Sequence, residues 1–241
     1  MRIDAHEEVW PLKQVFRISR GERRETHVVV VTIKEKEHTR RGEAVPIKRY
    51  NQSPASTLAQ IELIKTEKNL DRHRLQKLLP AGAARLLIDA NESWSPAHYQ
   101  KIVPSLKGLG VELIEQPFPA NADEVLEDLD RPIPICADES CHTSADLSRL
   151  TNRYDMINVK LDKTGGLTQA LQLSERAREA GFKLLIGCMV GTSLSMAPAR
   201  VLASTADYVD LDSPLLLARD RDHPLLYENG RIGIPPRELR G

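Results

Sequence analysis

The stretch MINVKLDKTGGLTQALQLSERAREAGFKLLIGCM, residues 156–189, decides the fold. It opens on a short apolar run that ends in a charged residue, Lys160, then passes through a Gly-Gly turn into a helical pattern. Within that pattern Leu167, Ala170, Leu171, Ala177 and Ala180 recur at helical spacing, and Gly181 stands where such a helix would end. A second apolar run, KLLIGCM, follows at once. Two short strands joined by one amphipathic helix make a βαβ unit, whose strands run parallel.

The unit repeats through the rest of the chain. The runs LLIDAN, VELIEQP, PICADES, MINVKLDK, KLLIGCM and YVDLDSP carry Asp89, Glu115, Asp138, Lys160, Gly187 and Asp210 at their ends, spaced 26, 23, 22, 27 and 23 residues apart. That period predicts consecutive parallel βα units, in a doubly wound sheet or a TIM-type barrel. In either fold the functional groups gather at the carboxyl ends of the strands. The first sixty residues read differently. VFRISRG and THVVVVTIKEKE are expected as strands joined by the polar turn SRGERRE, GEAVPIKRY continues the β character, and STLAQIELIK turns helical. This is the composition of a small α+β module.

Composition excludes several partners. The chain has 241 residues, 41% of them hydrophobic and 28% charged, with Lys plus Arg and Asp plus Glu equal at 34 each. No net basic field invites nucleic acid or an anionic membrane surface. The opening MRIDAHEEVW has no apolar signal core, and no apolar run approaches the roughly 20 residues of a membrane span. The expectation is a cytoplasmic protein with neither nucleic-acid nor membrane partners. Cys136, Cys141 and Cys188 are odd in number and lack zinc-like spacing, which suits reduced thiols.

Chemistry concentrates at the strand ends. Three carboxylates meeting at one barrel mouth, Asp89, Glu115 and Asp138, repel one another unless a cation sits among them, and an all-oxygen donor set points to a hard ion such as Mg²⁺. Lys160, set between apolar neighbours and beside such an ion, is a candidate general base. Asn91, two residues beyond Asp89, either braces that carboxylate or forms the turn after the strand. Asp210 and Asp212 flank Leu211 and share a side of the last strand. They could grip a substrate ammonium, or pair with Arg219 or Arg221 nearby. In GCMVGTS, Met189 is expected to line the substrate path, and Gly187 and Gly191 to serve that path or a tight βα turn.

The succession DANESW, IEQP, ADES, NVKLDKTGG, GCMVGTS and DLDSP, together with FRISRG and GEAVP, resembles the enolase superfamily, in its muconate-lactonising-enzyme-like branch and within it the dipeptide epimerases. The resemblance implies an α+β capping domain over a modified (β/α)₇β barrel. It implies that Asp89, Glu115 and Asp138 hold one Mg²⁺ per subunit, and that Lys160 on the sixth barrel strand belongs to an acid/base pair. The implied reaction is epimerisation of L-dipeptides by α-proton abstraction through a metal-stabilised enediolate. The same resemblance gives Asp210 and Asp212 the dipeptide's free amino terminus, assigns Phe16, Ile18 and Arg20 to a specificity loop, although Phe16 and Ile18 taken alone read as ordinary strand packing, and has Glu139 hydrogen-bond the lysine region. The rival enzyme reading is an N-acylamino-acid racemase or an o-succinylbenzoate-synthase-like activity.

One departure from the family stands at Arg85-Leu86. The resemblance places two further barrel strands there, the second bearing a Lys-x-Lys whose lysine opposes Lys160. From Leu86 to Gly241 are 156 residues, against about 250 for a whole TIM-type barrel. Lys65 and Lys68, in IKTEK, fall on a predicted helix of the capping module and do not supply the motif. The expected organisation is therefore an incomplete capping domain, residues 1–85, and a partial barrel, residues 86–241, lacking its first two strands. Either the intact protein carries the segment and is an isomerase, or the segment is lost and the chain is a non-catalytic ligand-binding homologue. Unpaired β edges in such a barrel also leave room for a homo-oligomer.

Overall fold

The computed structural model describes residues 2–18, 21–35, 38–46, 53–64, 86–228 and 230–240. Strands β1 (Arg2–Ile18), β2 (Gly21–Glu35) and β3 (His38–Ala44) form an antiparallel sheet in that order, backed by helix α1 (Pro54–Ile64). The run of β-branched residues in β2 explains why this strand is central, with Val28, Val29 and Val30 enclosed on both faces. Two expectations change here. The turn foreseen over SRGERRE is shorter, because Gly21, Glu22, Arg23 and, beyond a register shift between Pro11 and Phe16, Glu25 pair with β1, and the opening residues Arg2–Trp10, unassigned from sequence, are strand as well. Polar residues hold a strand at the ribbon tip because cross-strand pairs such as Arg17–Glu22, 2.9 Å, leave both side chains in water.

The remainder alternates strand and helix. Strands β4 (Leu86–Asp89), β5 (Val111–Glu115), β6 (Ile135–Ala137), β7 (Met156–Val159), β8 (Lys183–Ile186) and β9 (Tyr208–Val209) lie side by side in sequence order, all parallel, in one curled sheet. Between them run α2 (Pro96–Gly108), the short α3 (Leu147–Leu150) and α4 (Leu161–Thr164), then α5 (Leu167–Glu179) and α6 (Ser193–Ala203). All six expected strands are present, so the mixed α/β architecture with a partial barrel holds. Among the described residues β4 and β9 are the outer strands, while Arg85, on the other side of the junction, lies outside the described residues.

Period-two alternation sorts the sheet into two faces. Ile114, Ile135, Ala137, Ile157, Val159, Leu184 and Ile186 join the main core, where the helices cover them. Leu113, Cys136, Met156 and Leu185, with Tyr208 against them, form a second apolar cluster on the opposite face. One step of two further along the strands, that second face becomes polar, at Glu115, Asp138 and Asn158. The candidate site is thus built directly on an apolar floor.

Helix α5 corrects the apolar stripe read from the sequence. Its buried residues are Ala170, Leu173, Ser174 and Ala177, whereas Leu171 is 47% exposed. Positions 170, 173, 174 and 177 follow the i, i+3, i+4, i+7 rule, and Leu171 stands one residue, about 100°, off that line. Leu173→Ala should therefore cost about 2–5 kcal/mol by cavity formation, whereas Leu171→Ala should stay within about 0.5 kcal/mol. Urea unfolding of the two variants checks the contrast.

Candidate active site

The strand register assembles the site. Asp89 and Glu115 are direct partners across β4 and β5, and Glu115 pairs with Cys136, two residues before Asp138. Every polar atom of Asp138 has a partner. Its N–H donates to Gln116 Oε1 at 2.9 Å, and Lys163 Nζ donates to its carbonyl oxygen and to Oδ1, both at 2.6 Å. Lys160 Nζ donates to Oδ2 at 2.6 Å and lies 3.9 Å from Glu115 Oε1. Asn158 Nδ2 donates to that same Glu115 oxygen at 2.5 Å.

Electrostatics follows from this packing. Burial would raise Asp138, but the ammonium groups of Lys160 and Lys163 hold it well below the usual carboxylate range. Glu115 has no such pair of cations, and burial together with the Asp138 and Asp89 charges pushes it well above that range, although Lys160 works the other way. Asp89 is raised for the same reasons, desolvation first and Asp138 second. Burial alone would lower Lys160, yet Asp138, Glu115 and Asp89 outweigh it and keep the amine protonated.

Among the described residues no three His, Cys, Asp or Glu side chains form a ready-made metal nest. The chemistry of the donor set nevertheless fits a hard cation, since Asp89 and Glu115, when ionised, repel each other and Asp138 at neighbouring strand ends. A divalent ion relieves that repulsion; an apolar ligand does not.

The other sequence candidates fall as follows. Asn91 does both things left open for it: it turns the chain at φ 49°, and it donates its N–H and Nδ2 to the two Asp89 oxygens at 2.7 and 3.3 Å. Asp210 is raised to about 6 by burial and by the Asp212 carboxylate, whose side chain hydrogen-bonds it. The arginines offered as alternative partners are engaged elsewhere, both over the Trp10 ring, with Arg221 also paired to Glu8 and Glu43. Met189 packs against the main core, Glu139 is buried, and Phe16 lies under Arg23 on the β1–β2 ribbon. The Ile18 side chain and Arg20 lie outside the described residues.

Both glycines of GCMVGTS serve close approach rather than a turn. A Cβ on Gly187 would stand 2.5 Å from Asn158 Oδ1 and 3.0 Å from Lys160 Cε, and one on Gly191 would stand 3.1 Å from Glu43 Oε1. Three site residues escaped the sequence reading: Gln116, Asn158 and Lys163. Asn158 was within reach, being two residues before Lys160 and so on its face. Lys163 was not, because only the helical turn at Leu161–Thr164 folds it back under Asp138.

Comparisons with known proteins place this geometry in context. Residues 56–238 match the Enolase C-terminal domain-like family. Curated relatives include an N-acetyl-D-glutamate racemase from Pseudoalteromonas sp, 54% identical over 149 residues that make up 62% of this chain and 47% of that protein. An L-Ala-D/L-Glu epimerase from Escherichia coli strain K12 is 35% identical over 318 residues, covering 96% of this chain and 99% of the relative. An alignment of 318 residues against a chain of 241 leaves at least 77 positions of that relative without a counterpart here. The match spans only about half of most of the other relatives, for instance 44% of a hydrophobic dipeptide epimerase from Roseobacter litoralis. Among solved structures, an enolase family member from Agrobacterium tumefaciens with homology to dipeptide epimerases, holding sodium and L-Ala-L-Glu, superposes with a TM-score of 0.90 at 32% identity over 99% of both chains. From the parallel strand ends, their acid and lysine layer and the extent of these matches, the chain belongs to the enolase superfamily.

Proposed function

We propose that this chain carries the acid and lysine face of an enzyme that epimerises dipeptides, with residues 1–85 as a cap and residues 86–241 as part of a barrel. The observation that supports it is Lys160, 12% exposed at its side chain, seated on Asp138 and Glu115 with room beside it only because residue 187 is glycine. Asp89, Glu115 and Asp138 are the residues that would hold one Mg²⁺ per subunit, whose charge would stabilise the substrate carboxylate as the α-proton leaves and offset the acids that otherwise keep Lys160 protonated. Lys160 takes the α-proton and returns it. The paired carboxylates of Asp210 and Asp212 take the substrate ammonium, which fixes the dipeptide's direction across the site.

Inversion needs a second proton carrier on the opposite face. Lys163 does not fill that role, because its Nζ is bound to Asp138 and to the Asn158 carbonyl. With Lys160 alone, the proton leaves and returns on one side. The longer E. coli relative is consistent with a segment that supplies the opposing group in an intact enzyme.

A second reading, racemisation of N-acylated amino acids, draws support from the 54% identical Pseudoalteromonas relative. The two differ at one chemical point, since an N-acyl amino acid has no ammonium for Asp210 and Asp212.

Three outcomes are expected. The purified chain, given Mg²⁺ and L-Ala-L-Glu in D₂O, should exchange the α-proton of one enantiomeric series without inverting it, as followed by ¹H NMR; formation of the epimer refutes the one-sided site. Lys160→Met should lower that exchange by at least about a hundredfold. Asp210→Asn with Asp212→Asn should raise KM for dipeptides by at least about tenfold and leave N-acetylglutamate exchange unchanged; equal losses for both substrates would remove the ammonium role.

A further inference from the structure

The N-terminal sheet reaches the candidate site at several points, and an enclosed carboxylate makes the chief one. Glu43, on β3, has a fully buried side chain and lies 149 residues before its partner Thr192, the residue that caps α6. Thr192 N–H donates to Glu43 Oε1 at 2.9 Å, and the Thr192 hydroxyl donates to Oε2. Arg221 completes the set, with Nε at 3.0 Å and Nη2 at 2.6 Å from Oε2, while its guanidinium covers the Trp10 ring at 5.0 Å. A second pin stands close by, where Val45 N–H donates to Asp162 Oδ1 at 2.7 Å, two residues after Lys160. Thr26 on β2 adds a third, donating to the Val190 carbonyl at 2.7 Å.

Helix capping does not by itself account for Glu43. Thr192 already caps α6 with its own hydroxyl, which accepts from Leu194 N–H at 3.3 Å. Burying a further carboxylate is unfavourable unless its partners are complete, and here they are complete. Gly191 shows how tight the fit is, since a Cβ there would meet both Glu43 Oε1 and Val45 Cγ2 at 3.1 Å. The segment held is Gly187–Thr192, and its first residue is the one that lies against Lys160.

We propose that Glu43 is a positioning residue: with Arg221 as counter-ion, it clamps Gly187–Thr192 from the N-terminal sheet and thereby fixes the wall against which Lys160 works. The clamp stands on geometry alone; its effect on turnover rests on the epimerase reading.

The test compares Glu43→Ala, Glu43→Gln and the double variant Glu43→Ala with Arg221→Met, which leaves Arg221 no stranded charge if the single variant folds poorly. Amide hydrogen exchange and α-proton exchange of L-Ala-L-Glu with Mg²⁺ are measured on each. In the alanine variants, amides of 188–194 should exchange at least tenfold faster while those of β5 and β6 keep their native rates. Turnover should fall about tenfold with KM within twofold, and Glu43→Gln, which can still accept from Thr192, should restore most of both. Unchanged protection at 188–194, or a uniform rise across every strand, overturns the clamp. If the unsubstituted chain exchanges no α-proton, the epimerase reading fails instead, and hydrogen exchange alone decides the role of Glu43.

Discussion

A carboxylate enclosed as completely as Asp138, 3% exposed, needs a fixed set of partners, because an unpaired charge taken out of water costs several kcal/mol. Two lysines meet that need from one side of the site. Lys163 is itself wholly buried and bonds Asp138 twice and the Asn158 carbonyl once, so it ties the end of β6 to the end of β7. Lys160 takes the remaining oxygen. The distances among the acids, and the protonation each of them holds, all depend on this one knot.

The knot in turn needs a rigid base. Gln116 supplies part of it, as its side-chain oxygen accepts from the N–H groups of Asp138 and Ser140, and its amide donates to Phe118, Ser140 and Tyr154. Asp123 closes that network through Ser140, Tyr154 and Arg153. Each group in it is satisfied, which is the condition under which a buried polar network rigidifies rather than weakens a fold. Beneath lies the apolar cluster of Leu113, Cys136, Met156 and Leu185, which keeps water from reaching the charges from below.

Much of this was legible in the chain. Six strands with a regular spacing, five of them closing on a charged residue, were enough to foresee the parallel sheet and to put Asp89, Glu115, Asp138 and Lys160 at one edge of it. Period two also reached Asn158 in principle. Three things stayed out of reach, each for a physical reason. Lys163 depends on a four-residue helix too short to leave a periodic trace, and Glu43 and Arg221 depend on contacts across more than a hundred residues. Leu171 misled because hydrophobicity alone does not say which of two adjacent helix positions faces the sheet. The polar tip of the β1–β2 ribbon misled because turn composition and exposed-strand composition are alike.

That ribbon has a consequence of its own. Strand β3 pairs with β2 only from Val29 to Glu35, so the tip from Gly21 to Glu25 has β1 as its only strand partner. A two-stranded segment adds little to global stability. Substitutions near Phe16 and Arg23 therefore escape the constraint that governs the buried knot, where removing one partner leaves a buried charge unpaired. A lineage can therefore reshape that tip while the acid and lysine layer stays as it is.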